Sequence, residues 1–236
     1  MGLFDTLLGR TKPVRANLDA LFALPSAAVT LQVSSGLVST GKAGVCFKPP
    51  AGQPFTDMQT ELEKLLELGD ATPAAPAGDS PPSTTTPGAT PSGDTPAAST
   101  LTVRHVGDRF GYRWILLEGG DLEDLVTRVH MVHSSLEDAG WSPQLLCSVF
   151  GFAPDPQAGT STGDASGVGA DGSAAVTRPV FLVYLAKQGT FYPFAPTGNE
   201  QRDTELELRL RGVLGTDLPV ETDLSRWFPI WDLPVT

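Results

Sequence analysis

The run Val180–Leu185 (VFLVYL) constrains this chain more than any other stretch, because six apolar or aromatic residues follow one another without a polar break. A half-exposed strand alternates and an amphipathic helix shows a polar side, so an unbroken β-branched and aromatic run reads as a strand covered on both faces. Lys187, Gln188 and Gly189 interrupt it, and Thr190–Phe194 resume with β-formers. That segment is either a bent strand or a tight turn into the next one. A second apolar run, residues 145–153 (LLCSVFGFA), reads as its hairpin partner.

Two tracts limit how much of the 236 residues can fold. Residues 70–100 and 154–178 are built from Ala, Gly, Ser, Thr, Pro and Asp with almost no bulky apolar side chain, too little to offset the entropy of ordering them. Both are expected to be disordered insertions, the second at the tip of the hairpin. About 180 residues remain, enough for one core, distributed over 1–69, 101–153 and 179–236. A formal charge of -11 argues against a nucleic-acid partner and weakly against direct docking on anionic lipid. Cys46 and Cys147, the two cysteines, lie in apolar strand-like runs and read as buried free thiols of a reducing compartment. No secretory apolar region and no membrane-length apolar segment is legible, so a cytoplasmic location is expected.

Along the chain, residues 2–9 (GLFDTLLG) place Leu3, Phe4, Leu7 and Leu8 at helical spacing. So short an amphipathic turn must dock, either on its own core or on a partner or bilayer surface. The start also fits, loosely, the pattern for myristoylation of Gly2. Asn17 is placed to cap a helix carrying Leu18, Leu21, Phe22 and Leu24; Pro25 punctuates it, and residues 27–33 continue in helical or extended form. Residues 41–48 read as a short strand. Pro54 opens a helix with Phe55, Met58, Leu62, Leu65 and Leu66 on one face. Residues 101–106 and 110–118 flank Gly107-Asp108-Arg109 as a hairpin, with Arg104 and Arg113 on its solvated side. Asp121 caps a helix over 122–139 with Leu122, Leu125, Val126, Val129 and Leu136 as its buried stripe, and Gly140 ends it with Trp141 folding back on Leu136. The LELRLR run at 206–211 alternates like a strand, but its i,i+4 Glu–Arg pairs decide for a helix, with Asn199 as cap. The tail, 217–236, reads as an ordered strap. The sum is an α+β fold: a largely antiparallel sheet with helices packed on it.

The chain offers few groups for chemistry. His130 and His133 share a helix at i,i+3, a spacing that could serve a metal, but no acid completes a zinc motif and packing explains both. The glycine-rich stretch 163–172 lacks the Lys-Ser/Thr ending of a phosphate loop. The carboxylates around the 122–139 helix lie at its ends and polar side, where capping accounts for them. No nucleophile, base and orienting group stand together. We therefore expect no catalytic residue, metal or cofactor, and a protein that acts by binding. Two patches are candidates: Leu3, Phe4, Leu7 and Leu8, and the strap residues Arg226, Trp227, Phe228 and Trp231. For each, packing on the parent core is the competing reading. A metal at His130 and His133 or a reactive thiol at Cys147 is what an enzymatic reading would need.

Several long segments carry a resemblance: LDALFALPSAAVTL from Leu18, HSSLEDAGWSPQLLCSVFGF from His133, LVYLAKQGTFYPFAP from Leu182 and LRGVLGTDLPVETDLSRWFPIW from Leu210, together with the MGLFDTLLGR start. In that order they resemble the PspA-associated protein PspAB family of actinobacteria and relatives. The resemblance implies a small cytoplasmic accessory protein of the phage shock, or envelope stress, response. Its expected partners are a PspA-like protein or another stress component, and an HtpX-like membrane protease, with peripheral membrane association as an alternative. It brings no catalytic residues or cofactor. The order of elements is also similar to the α+β fold of type III secretion chaperones and YbjN-like proteins, which implies a surface for another protein's segment.

Overall fold

The computed structural model of the protein describes residues 17–48, 60, 101–157 and 176–235. Six strands make one sheet: β1 (Leu37–Phe47), β2 (Thr102–Gly107), β3 (Arg113–Glu118), β4 (Leu145–Pro154), β5 (Val180–Leu185) and β6 (Thr190–Phe194). Every neighbouring pair is antiparallel, in the order β2-β3-β1-β4-β5-β6. β5 is buried at all six positions, as its unbroken apolar run demands. Between β5 and β6 the chain makes a tight turn, not a bend: the Gln188 and Gly189 N–H groups both donate to the Leu185 carbonyl, and Gly189 takes φ 69°. A two-stranded ribbon, β7 (Pro196–Gly198) with β8 (Gln201–Arg202), follows.

Three helices cover one face. α1 (Leu24–Ser35), α2 (Leu122–Asp138) and α3 (Thr204–Leu214) bring Leu24, Leu31, Val129, Leu136 and Leu210 against Val45, Ile115, Phe150, Leu182 and Tyr184 of the sheet. Each such side chain contributes roughly 1.5–3 kcal/mol on burial. α2 is capped as its sequence demands: Asp121 Oδ1 accepts the Asp124 N–H at 2.8 Å, and beyond the last turn the Trp141 N–H donates to the Leu136 carbonyl at 2.7 Å.

Four expectations are corrected. Asn17 makes no side-chain cap; its carbonyl accepts the Ala20 N–H and the Tyr184 hydroxyl instead. Pro25 does not break the first helix. A 3-10 turn, Leu18–Ala23, runs directly into α1 with Pro25 in its opening turn, where a missing N–H costs nothing. The merged element, Leu18–Ser35, is therefore long and apolar enough to cross a membrane, which the sequence reading did not find. It lies on the sheet through Leu21, Leu24, Ala27 and Leu31, while Phe22, Val29 and Val33 face outward. Finally, Asp203 caps α3, its Oδ1 accepting the Leu206 N–H at 3.0 Å, while Asn199 sits in the β7–β8 turn at φ 52°. The helix expected after Pro54 lies outside the described residues apart from Thr60.

The strap covers the opposite face. It leaves α3, crosses the edge of β6 through a parallel bridge between Val220 and Phe191, and runs to Val235 beneath the sheet. Trp227, Leu233 and Val235 pack there on Trp114, Leu116, Val149, Val183 and Tyr192. Gly44 of β1 makes this possible, because a Cβ at that position would stand 2.8 Å from a Val235 methyl.

Candidate functional site

The strap is locked at Trp227. Its indole stacks on Tyr192 at 5.8 Å between centroids, and its Nε1–H donates to the Glu221 carbonyl at 3.1 Å. The Tyr192 hydroxyl donates to the Phe228 carbonyl at 2.7 Å, and burial pushes that phenol above its ordinary pKa, so it stays a donor. From α3, Glu207 is wholly buried and takes Arg202 on both oxygens, while Arg202 Nη1 donates to the Trp227 carbonyl at 2.7 Å. Glu221 anchors the beginning of the strap. Desolvation pushes its carboxyl up, but the Asp223 N–H, the Thr190 hydroxyl and Arg226 outweigh this and hold it below the ordinary value.

So held, the strap does not close the face. A pocket of about 570 Å³ remains between it and the β2–β3 loop. Its floor is one row of the sheet: Trp114, Cys46, Cys147 and Leu185 stand opposite one another across β3, β1, β4 and β5. Phe110 and Tyr112 form one wall, and Phe228, Pro229, Ile230 and Trp231 the other. Asp108 fixes the loop, its Oδ1 accepting the Phe110 and Tyr112 N–H groups at 2.9 Å and its Oδ2 the Trp114 Nε1–H at 3.1 Å. Arg109 then ties this wall to the other by an ion pair with Asp232 at 2.8 Å, and to the β7–β8 turn by one with Glu200 at 2.9 Å. Among the described residues Lys187 is the one basic side chain in the lining.

The strap candidates divide. Trp227 points inward and is 6% exposed; Phe228 points outward and is 59% exposed at the pocket rim. Trp231 is half-buried and meets Phe194 edge-on at 5.5 Å, while Arg226 lies near Glu221 and Asp223. Leu3, Phe4, Leu7 and Leu8 lie outside the described residues. The sequence reading missed Phe110, Tyr112 and the Cys46–Cys147 row. No periodic signal separates Trp227 from Phe228, because Trp227 ends a 3-10 turn, Leu224–Arg226, and neither residue lies in a strand.

Of the groups that could do chemistry, no histidine among the described residues lines the pocket. The Cys46 thiol is raised well above its ordinary pKa by its hydrogen bond with Cys147 and then by burial. His133 is sealed in the other core, Nε2 2.6 Å from Ser148 Oγ, and burial, then the charge of His130, lower it to about 3. His130 instead lies 4.9 Å from the Phe22 ring, so the two histidines do not converge. Among the described residues no group of three metal-binding side chains comes together. What the pocket offers is an apolar, aromatic-walled recess suited to another molecule's apolar groups.

No curated protein and no solved structure matches the chain. The likeness to type III secretion chaperones and YbjN-like proteins thus rests on element order alone. The family model of PspA associated protein B matches residues 1–79 and 94–235, and its one internal gap falls within the first low-complexity tract. The chain belongs to the PspA associated protein B family.

Proposed function

We propose that this protein is a non-enzymatic accessory protein of the phage shock, or envelope stress, system, and that it works by binding PspA or a related stress component. The pocket beneath the strap is the observation that carries the reading. A protein that needed only a closed core would have no use for Phe228 and Phe110, 59% and 56% exposed, at the mouth of an open apolar recess. Phe228 and Trp231 are the anchors on the strap side, and large aromatic rings are the residues that most often dominate such contacts. An HtpX-like membrane protease is a second candidate partner, and the site of action is the cytoplasm or the inner face of the membrane. Co-purification from a native membrane extract tests this. PspA should accompany the wild-type protein and be depleted with Phe228→Ala; its absence from both would remove the reading.

A second reading has its own observation. Phe22, Val29 and Val33, 51%, 62% and 79% exposed, leave the outer side of the Leu18–Ser35 helix apolar, as a bilayer-surface sensor assisted by Leu3, Phe4, Leu7 and Leu8 would require. Flotation with liposomes separates the two readings: wild-type protein that stays at the bottom of the gradient excludes the membrane one.

A further inference from the structure

Cys46 and Cys147 are brought together from distant parts of the chain and stand directly opposite each other in the β1·β4 register. Both side chains lie on the strap side of the sheet and line the pocket floor. Directly opposed residues of an antiparallel pair hold their Cα atoms about 4.5–5.5 Å apart. A disulfide spans Cα separations of about 4.4–6.8 Å. The register therefore sets the pair at a separation that a disulfide can span.

We propose that Cys46 and Cys147 form an oxidisable dithiol, closed to a cross-strand disulfide by a low-molecular-weight disulfide that enters the pocket. The thiolate of one cysteine attacks a sulfur of the reagent, whose other half leaves and is protonated to a thiol. The second cysteine, as thiolate, attacks the protein-side sulfur of the mixed disulfide and expels the second half as a thiol. The protein gives up two protons and two electrons, and the reagent is reduced to two thiols. The opening over the row decides whether this can happen. In the closed helix-side core a mixed disulfide would have no room, whereas the recess of about 570 Å³ accepts one. The raised Cys46 thiol makes thiolate scarce at neutral pH, so closure is slow there and faster in base. Once closed, the bond pins β1 to β4 beside Trp114, the residue opposite Cys46 on β3. The site does not depend on the binding reading above, since the thiols are counted with no partner present.

The test is intact-mass spectrometry of the full-length reduced protein after native incubation with excess cystamine, followed by proteolysis. The expected product is lighter than the reduced protein by two hydrogens, is restored by dithiothreitol and yields a linked peptide joining Cys46 to Cys147. Cys46→Ala and Cys147→Ala should each stop at a single cysteamine adduct; should either fail to fold, the wild-type masses and linked peptide decide alone. Two thiols left unreacted when urea-unfolded protein is fully oxidised would overturn the proposal, as would two separate adducts on the native wild type.

Discussion

Arg202 grips the wholly buried Glu207 with Nε 2.9 Å and 2.8 Å from its two carboxylate oxygens and Nη2 2.7 Å from Oε2, and with Nη1 holds the carbonyl of Trp227. The pair thus joins the helix layer to the strap. Glu207 also accepts the Ala195 N–H, so its lone pairs are occupied and the charge is compensated.

Replacing Glu207 by Gln strands the Arg202 charge in a site where the Arg202 side chain is 21% exposed. Breaking one partner of a buried pair costs about 3–5 kcal/mol. Urea unfolding of Glu207→Gln should show a loss of this order, and a midpoint equal to that of the wild type would count against the anchoring role.

Trp227→Ala and Phe228→Ala should part company although the residues are adjacent. Removing the buried indole empties the stack on Tyr192 and costs about 3–5 kcal/mol. Phe228→Ala removes an exposed ring and should shift stability by no more than about 0.5 kcal/mol. Thermal melts of both variants check the contrast.

Arg109 bridges the two pocket walls from an exposed position, so its ion pairs contribute about 0–1 kcal/mol. Their effect is on mobility. Arg109→Ala should leave the melting temperature nearly unchanged while hydrogen exchange quickens in residues 108–112 and 229–233.

Acidification should weaken the fold through His133 before Glu221 takes part. The unfolded imidazole titrates near pH 6.5, but burial and His130 keep the folded one down to about 3, so between those values only the unfolded chain takes the proton. Stability is full above about 6.5 and falls by about 1.4 kcal/mol per pH unit below it. Glu221, held below 4.5, adds a loss of the same sign only as pH drops under 4.5. His133→Gln should therefore flatten the slope between pH 6.5 and 4.5 in urea titrations of the full-length protein.

Much of the scaffold could be read from local pattern. Val180–Leu185, the β2–β3 hairpin and the Asp121-capped helix each carry their burial in consecutive or periodic residues, and each is present, though the hairpin loop runs over residues 108–112 and not the expected 107–109. The first half of β1 was hidden because Ser39, Thr40 and Gly41 form an irregular, polar interruption where the register shifts. Pro25 misled because a proline at a helix start and one at a break look alike without the preceding turn. The pocket has no local signature at all. Its floor exists only because four strands align Trp114, Cys46, Cys147 and Leu185, and its wall only because Arg202 and Glu207 fix where the strap crosses.

The claim that the strap pocket is a binding surface is tested most directly by titrating purified PspA into wild-type protein and into Phe228→Ala in a calorimeter. Saturable binding is predicted for the wild type, weakened at least about tenfold by the substitution, equivalent to about 1.4 kcal/mol. Equal affinity for both proteins, or no heat with either, would contradict it.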